Sequence, residues 1–262
     1  MKKDLLISRL IVKNFFEKLN DALNVDVAIA GCGPSALALS IQLSKLGRKV
    51  AIFEARNEPG GGIWGGGMMF NELVVEEHLS NFLDELGVRY KSFGEFLVID
   101  SVHFASALLY HSTKNGTLIF NNVLVEDLVV YENRVSGIVV NWAPTVKDKR
   151  HVDPISVLAK YTVDATGHPA SLVNLLAKRA LLKLDGPMYE FPMDAEKGEE
   201  FVVQNTKEIF PGLYVIGMAA VSVGSGPRMG PIFGGMIESG LMAAELIEEK
   251  LKNPEYIEVM TT

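Results

Sequence analysis

Between residues 4 and 22 the apolar side chains Leu5, Ile7, Leu10, Ile11, Phe15, Phe16 and Leu19 recur near helical spacing, with Lys13, Glu17 and Lys18 between them. The pattern predicts an amphipathic helix, residues 1–23, whose stripe packs on its own domain or against a neighbouring subunit. The rhythm then changes. Val25–Ala30 and Lys49–Glu54 are short apolar runs of buried-strand length, and the stretch 34–46 between them has helical character. Together they predict a βαβ unit with a right-handed crossover. Further along, helices are predicted over 74–86 and 101–114, and strands over 117–120, 123–130 and 135–141. Asn133 and Arg134 turn the last two into a small antiparallel element. Residues 142–151 are a polar connection. A strand at 160–167 leads to a helix at 170–182, and residues 184–200 lack a period and read as a surface excursion. A last buried strand over 212–219 and a closing helix over 234–251 complete the alternation.

The chemistry begins where the first strand ends. Gly31-Cys-Gly33-Pro-Ser-Ala36 follows that strand and opens the next helix, and Glu54 ends the second strand. This is the order a dinucleotide needs. Gly31 permits the sharp turn, Gly33 lets a pyrophosphate approach the backbone, and Ala36 allows close packing of helix on strand. The helix N-terminus offers N–H groups and a positive dipole end to the phosphates. Glu54 suits a ribose hydroxyl pair, although Arg56 two residues on blurs the choice against a 2′-phosphate. The fold class that follows is α/β, a Rossmann-like dinucleotide-binding fold of the flavoprotein (two-dinucleotide-binding-domain) type with a small antiparallel β element, as one domain over 1–262.

Composition narrows the partners. The 262 residues carry a net charge of −7 with no basic run, which argues against nucleic acid. One cysteine, Cys32, excludes an intramolecular disulfide and suits a reducing cytoplasm; its place in the turn suggests packing. Asp26, the glycines and Pro34 argue against a membrane span over the apolar stretch 25–43, and the N-terminus has no secretory pattern. A soluble cytoplasmic enzyme is expected.

Three further segments carry candidate chemistry. Glu58-Pro-Gly60-Gly-Gly-Ile-Trp-Gly-Gly-Gly67-Met-Met69 holds two glycine triplets around a tryptophan and reads as a ligand-covering loop. Val223–Gly235 connects the last strand to the last helix, and Arg228 within it has a planar fork suited to a carboxylate or phosphate. His151 and Asp153, with His168 after the Ala-Thr-Gly strand end, are two imidazoles and a carboxylate that suit a divalent first-row metal. Their spacing is no metal signature, and from chemistry alone solvated or hydrogen-bonded histidines are the ordinary reading. His78, His103 and His111 fall on predicted helices or helix ends and receive no role.

At the Gly-Cys-Gly-Pro-Ser turn, the glycine–tryptophan loop, Asp-Ala-Thr-Gly-His at 164–168 and the run Gly217–Pro231, the chain resembles the thiamine thiazole synthase family over nearly its whole length. That resemblance implies construction of an adenylated thiazole from NAD, glycine and a sulfur source, with loss of nicotinamide. Fungal and plant members carry a sulfur-donating cysteine where this chain has His151 of His-Val-Asp-Pro. The chain is therefore similar to the archaeal branch, which uses sulfide with iron(II) and turns over repeatedly. By resemblance, Asp153 and His168 are iron ligands, from different subunits of a ring-like octamer, and His151, Asp153 and His168 form the catalytic group. Gly31, Gly33, Ser35, Glu54, Ala55, Gly62, Val125 and Met218 contact the NAD, and Arg228 holds the glycine carboxylate. Two other readings stay open from the residues: an FAD-dependent oxidoreductase, because the nucleotide motifs serve FAD equally well, and a non-catalytic NAD or ADP-ribose binding protein.

Overall fold

A computed structural model describes residues 2–184 and 186–253. The chain begins with α1 (Lys3–Ala22), followed by β1 (Asn24–Ala30), α2 (Pro34–Lys45) and β2 (Val50–Glu54). Next come β3 (Glu72–Glu76), α3 (Ser80–Glu85), β4 (Tyr90–Phe93), β5 (Phe96–Asp100) and α4 (Ser101–Lys114). The middle holds β6 (Leu118–Asn121), β7 (Val123–Tyr131), β8 (Arg134–Trp142), α5 (Ala143–Lys147), β9 (Ile155–Asp164) and α6 (Ser171–Lys178). The last part is α7 (Ala195–Gln204), β10 (Lys207–Phe210), β11 (Leu213–Val215), α8 (Met218–Gly224) and α9 (Gly234–Lys252).

The main sheet runs β10-β11-β9-β1-β2-β6, parallel from β11 to β6, with the β7–β8 hairpin joined to the start of β9. Strand order reverses between β1 and β9, so a crevice opens beyond their carboxyl ends, where such sheets bind ligands. Alternation along β1 and β2 sends Val27, Ile29, Val50 and Ile52 into one core, and Ala28, Ala30, Ala51 and Phe53 into another on the opposite face. The first core contains α2, α4, α9 and the small antiparallel sheet β3-β5-β4; the second contains α6, α8 and the β7–β8 hairpin. Helix α9 packs tightly on α2. A Cβ added at Gly240 would lie 2.2 Å from the Ser35 carbonyl oxygen.

Some elements depart from the sequence reading. Residues 74–86 do not form one helix: Glu72–Glu76 is a strand paired with β5, and α-helix begins only at Ser80. β-Branched Val74 and Val75 suit the pleated sheet, whereas Leu79, Phe82, Leu83 and Leu86 keep helical spacing and bury. The stretch 184–200 is not wholly irregular, because Asp194 caps α7 by accepting the Lys197 N–H at 3.3 Å. The last strand is shorter than expected, since Gly217 (φ +58°) ends it and α8 starts at Met218. The polar connection after β8 contains the short α5. Helix α1 meets its own domain through its C-terminal half: Phe15 packs on Phe120 and Trp142, while Leu5, Leu6, Ile7, Leu10, Ile11, Val12 and Phe16 stay exposed. No described helix is long and apolar enough to cross a membrane.

Candidate functional site

The crevice at the strand reversal is a cavity of about 940 Å³. Its floor is the turn after β1. Gly31 has φ +92°, and an added Cβ would lie 2.4 Å from the Ala165 carbonyl oxygen, so the two strand ends touch only because no side chain intervenes. Gly33 caps α2 and faces open space, consistent with an approach route to the helix N-terminus. The glycine–tryptophan loop lies over this turn. Gly60 N–H donates to the Cys32 carbonyl at 2.7 Å, a Cβ at Gly61 would sit 2.9 Å from Gly33 Cα, and Gly61, Gly62, Gly66, Gly67 and Met68 line the cavity.

Glu54 ends β2 at the cavity wall and is 7% exposed. One of its carboxylate oxygens accepts the Cys32 N–H at 2.8 Å and the other the Arg56 N–H at 2.9 Å. A carboxylate has about four acceptor positions, so room for ribose hydroxyls remains. Cys32 itself is fully buried. Burial first, and the Glu54 charge second, push its thiol far above the usual range, which makes it inert as a nucleophile.

On the opposite wall β9 ends in Asp164, a residue absent from the sequence candidates. It is fully buried, and burial pushes its carboxyl up against four hydrogen bonds that favour the charge. Oδ1 accepts from Thr166 N (3.1 Å) and Oγ1 (2.7 Å), and Oδ2 accepts from Leu172 N (2.8 Å) and Val173 N (3.0 Å). These bonds tie the strand end to α6 and fix the Thr166–Pro169 bend that carries His168. The His168 Nδ1 meets Glu190 Oε1, and Arg228 Nε lies 3.4 Å from Glu190 Oε2. Ser222 Oγ is 2.8 Å from the His168 carbonyl and 2.9 Å from Glu190 Oε1.

Of the sequence-derived candidates, Gly31, Gly33, Ser35, Glu54, Ala55, Gly62, Val125, His168, Met218 and Arg228 all line this one cavity. Two do not. His151 is exposed in the segment before β9, and Asp153 borders a separate cavity of about 40 Å³ beside Phe15 and Trp142. Among the described residues no group of three or more His, Cys, Asp or Glu is disposed to hold a metal. One chain does offer a prepared imidazole: with Nδ1 engaged by a carboxylate, Nε2 is left as the ligating nitrogen. Glu190, lying in the stretch read as a surface excursion, was missed. The signal was an acid beside Tyr189 and Phe191, which its surroundings alone make meaningful.

Comparison with known proteins agrees with this geometry. The chain is 68% identical to a thiamine thiazole synthase of Fervidobacterium nodosum over 98% of this chain and 96% of that one. It is 49% identical to one of Pyrococcus horikoshii, over 97% and 100% respectively. The crystal structure of Thermovibrio ammonificans THI4 superposes with a TM-score of 0.93 at 44% identity, covering 97% of this chain and 99% of that one. A geranylgeranyl bacteriochlorophyll reductase-like protein of Thermoplasma acidophilum shares the fold alone, with a TM-score of 0.52 at 12% identity, over 89% of this chain and 80% of that one. The model of the Thi4 family matches residues 8–233, and with these relatives it establishes that the chain belongs to the Thi4 family, the thiamine thiazole synthases of thiamine biosynthesis.

Proposed function

We propose that the cavity takes NAD as a reactant and, with glycine, external sulfide and iron(II), yields the adenylated thiazole carboxylate with release of nicotinamide. The observation that carries this reading is one continuous cavity lined by the glycine turn and the Glu54 carboxylate as well as by His168 and Arg228. The N-terminus of α2 would bind the pyrophosphate, with Gly31, Gly33 and Ser35 at its turn and Glu54, Ala55, Gly62, Val125 and Met218 around the rest of the dinucleotide. Loss of nicotinamide with addition of water gives ADP-ribose, whose ring opens to a carbonyl, and the amine of glycine condenses with that carbonyl to an imine with release of water. Arg228 would hold the glycine carboxylate and so orient that amine, turning an encounter into a directed reaction.

Iron(II), when bound, would supply an exchangeable centre for soft sulfide, with His168 as a nitrogen donor and Asp153 as an oxygen donor. The exposure of Asp153 and His151, away from the cavity of their own chain, supports their delivery to the site of a neighbouring copy. The exposed apolar face of α1 supports an interface between copies, and the octamer itself is what the family resemblance implies. Cys32 supports an external sulfur source, because it is buried, its thiol is inert, and it belongs to the nucleotide turn.

The experiment is mass spectrometry of the small molecules released from purified protein, followed by incubation with NAD, glycine, sulfide and iron(II). The expected result is an adenylated thiazole or a glycine adduct of ADP-ribose, then more than one product per subunit. Released FAD would favour an oxidoreductase. NAD binding without nicotinamide release would leave a binding protein.

A further inference from the structure

Glu190 meets both His168 and Arg228 at the wall of the cavity. It lies in no helix or long strand, yet its position is fixed. Phe191 N–H donates to the Gly226 carbonyl at 2.8 Å, Arg228 N–H to the Phe191 carbonyl at 3.3 Å, and Asp194 N–H to the Arg228 carbonyl at 3.0 Å. The backbone on either side of Arg228 is thereby zipped to the backbone that carries Glu190. The Glu190 side chain is 14% exposed, whereas His168 and Arg228 are 56% and 61% exposed, so the anchored member of the trio is the carboxylate.

We propose that Glu190 is the positioning residue that sets His168 and Arg228 for their two tasks. The inference rests on the reading of His168 as a metal ligand and Arg228 as the carboxylate site. Through Oε1, Glu190 takes the Nδ1–H of His168, which assigns the lone pair to Nε2, the nitrogen a metal needs. Through Oε2 it holds Arg228 from the Nε side, and the Nη atoms make no hydrogen bond among the described residues. Those Nη atoms are therefore available to an incoming carboxylate. Ser222 adds a hydroxyl donor to the same Oε1 and limits rotation of the carboxylate.

Glu190→Gln separates the two contacts. The amide has one acceptor where the carboxylate has two, so either the imidazole or the guanidinium faces an N–H₂ group. If the amide nitrogen turns to His168, it favours the tautomer with the proton on Nε2, which does not bind metal. The probes are cobalt(II) alone, as an oxidation-resistant stand-in for iron(II), measured by equilibrium dialysis; the KM for glycine; and the Kd for NAD. The expected result is a cobalt Kd weakened 10–100-fold, a glycine KM raised several-fold, or both, with the NAD Kd within about twofold of wild type. Glu190→Asp keeps the charge but is too short to span both partners, so it should fall between wild type and the glutamine variant.

Wild-type cobalt affinity and glycine KM in Glu190→Gln would overturn the proposal. So would a loss of NAD affinity as large as the loss of cobalt affinity, because that pattern reports general disruption of the cavity. A wild-type protein that bound no cobalt and ignored glycine would remove the parent reading and this one with it. A wild type that used both, with an indifferent variant, would remove this one alone.

Discussion

Replacing Glu54 by alanine removes more than a ligand contact. The carboxylate receives the Cys32 N–H at 2.8 Å and the Arg56 N–H at 2.9 Å, and hydrogen bonds to a charged group each contribute about 1.5–3 kcal/mol. Cys32 is fully buried, so its N–H is the costlier one to leave unpaired, whereas Arg56 is exposed and its N–H rehydrates. The unliganded protein should therefore lose about 2–3 kcal/mol, chiefly at Cys32. For a domain of this size that lowers Tm by roughly 5–10 °C. Independently, a lost ribose contact of about 1.5–3 kcal/mol should weaken NAD about 10–150-fold. Differential scanning calorimetry without ligand reads the first effect. Titration calorimetry well below the melting transition reads the second. Glu54→Gln retains one acceptor and should melt between the two. A fall in Tm with an unchanged NAD Kd would make Glu54 a builder of the turn and nothing else. An unchanged Tm would refute the geometric argument itself.

Other outcomes follow from the same structure. Burial, and then the neighbouring Glu76 carboxylate, push the Glu199 carboxyl up to about 9. A carboxyl raised in the folded state contributes stability that is present below its unfolded value near 4.5 and lost as pH rises towards 9. With both acids ionised Glu76 Oε2 has no donor, so Glu199→Gln should flatten the decline in Tm between pH 5 and 9, by several degrees at the alkaline end. Arg228→Lys keeps the charge but loses the planar fork, and steady-state kinetics should show a glycine KM raised about tenfold with NAD affinity retained. Cys32→Ser should retain sulfide-dependent turnover at a modest cost in Tm; product formed by wild type without sulfide, with Cys32 converted to dehydroalanine, would contradict the reading.

The parts of the fold legible in the sequence are those whose side chains answer to a local rule. Gly31 marks the dinucleotide turn because backbone approach there excludes a Cβ, Gly33 keeps the helix N-terminus open, and Ser101–Lys114 keeps its helical period throughout. The antiparallel sheet from Glu72 to Asp100 was less legible. Its first strand runs into a helical turn, so Val74 and Val75 share one apolar sequence with Leu79 and Phe82 although they obey different periods. Helix α7 was hidden because it is mostly polar, with Phe201 and Val202 only near its end, and its Asp194 cap was the available sign. The site divides in the same way. Arg228 and His168, candidates by their chemistry, line the same cavity as the residues expected at a dinucleotide from the motif and the resemblance. Glu190 acquires meaning only when residues 190–194 lie beside residues 226–228, a pairing between segments more than thirty positions apart.

The close packing of Gly240 on the Ser35 carbonyl has a consequence for how the protein is made. The nucleotide turn leaves the ribosome early, but the helix that locks it in place is the last element of the described chain. Met218 and Arg228, on the cavity wall, also emerge late. A chain halted before residue 240 therefore lacks the helix packed on the nucleotide turn, and the side of α2 that faces α9 is bare to solvent. Long-range closure of this kind slows folding. A ligand that binds only the closed cavity would stabilise the native state and withdraw it from partly open forms.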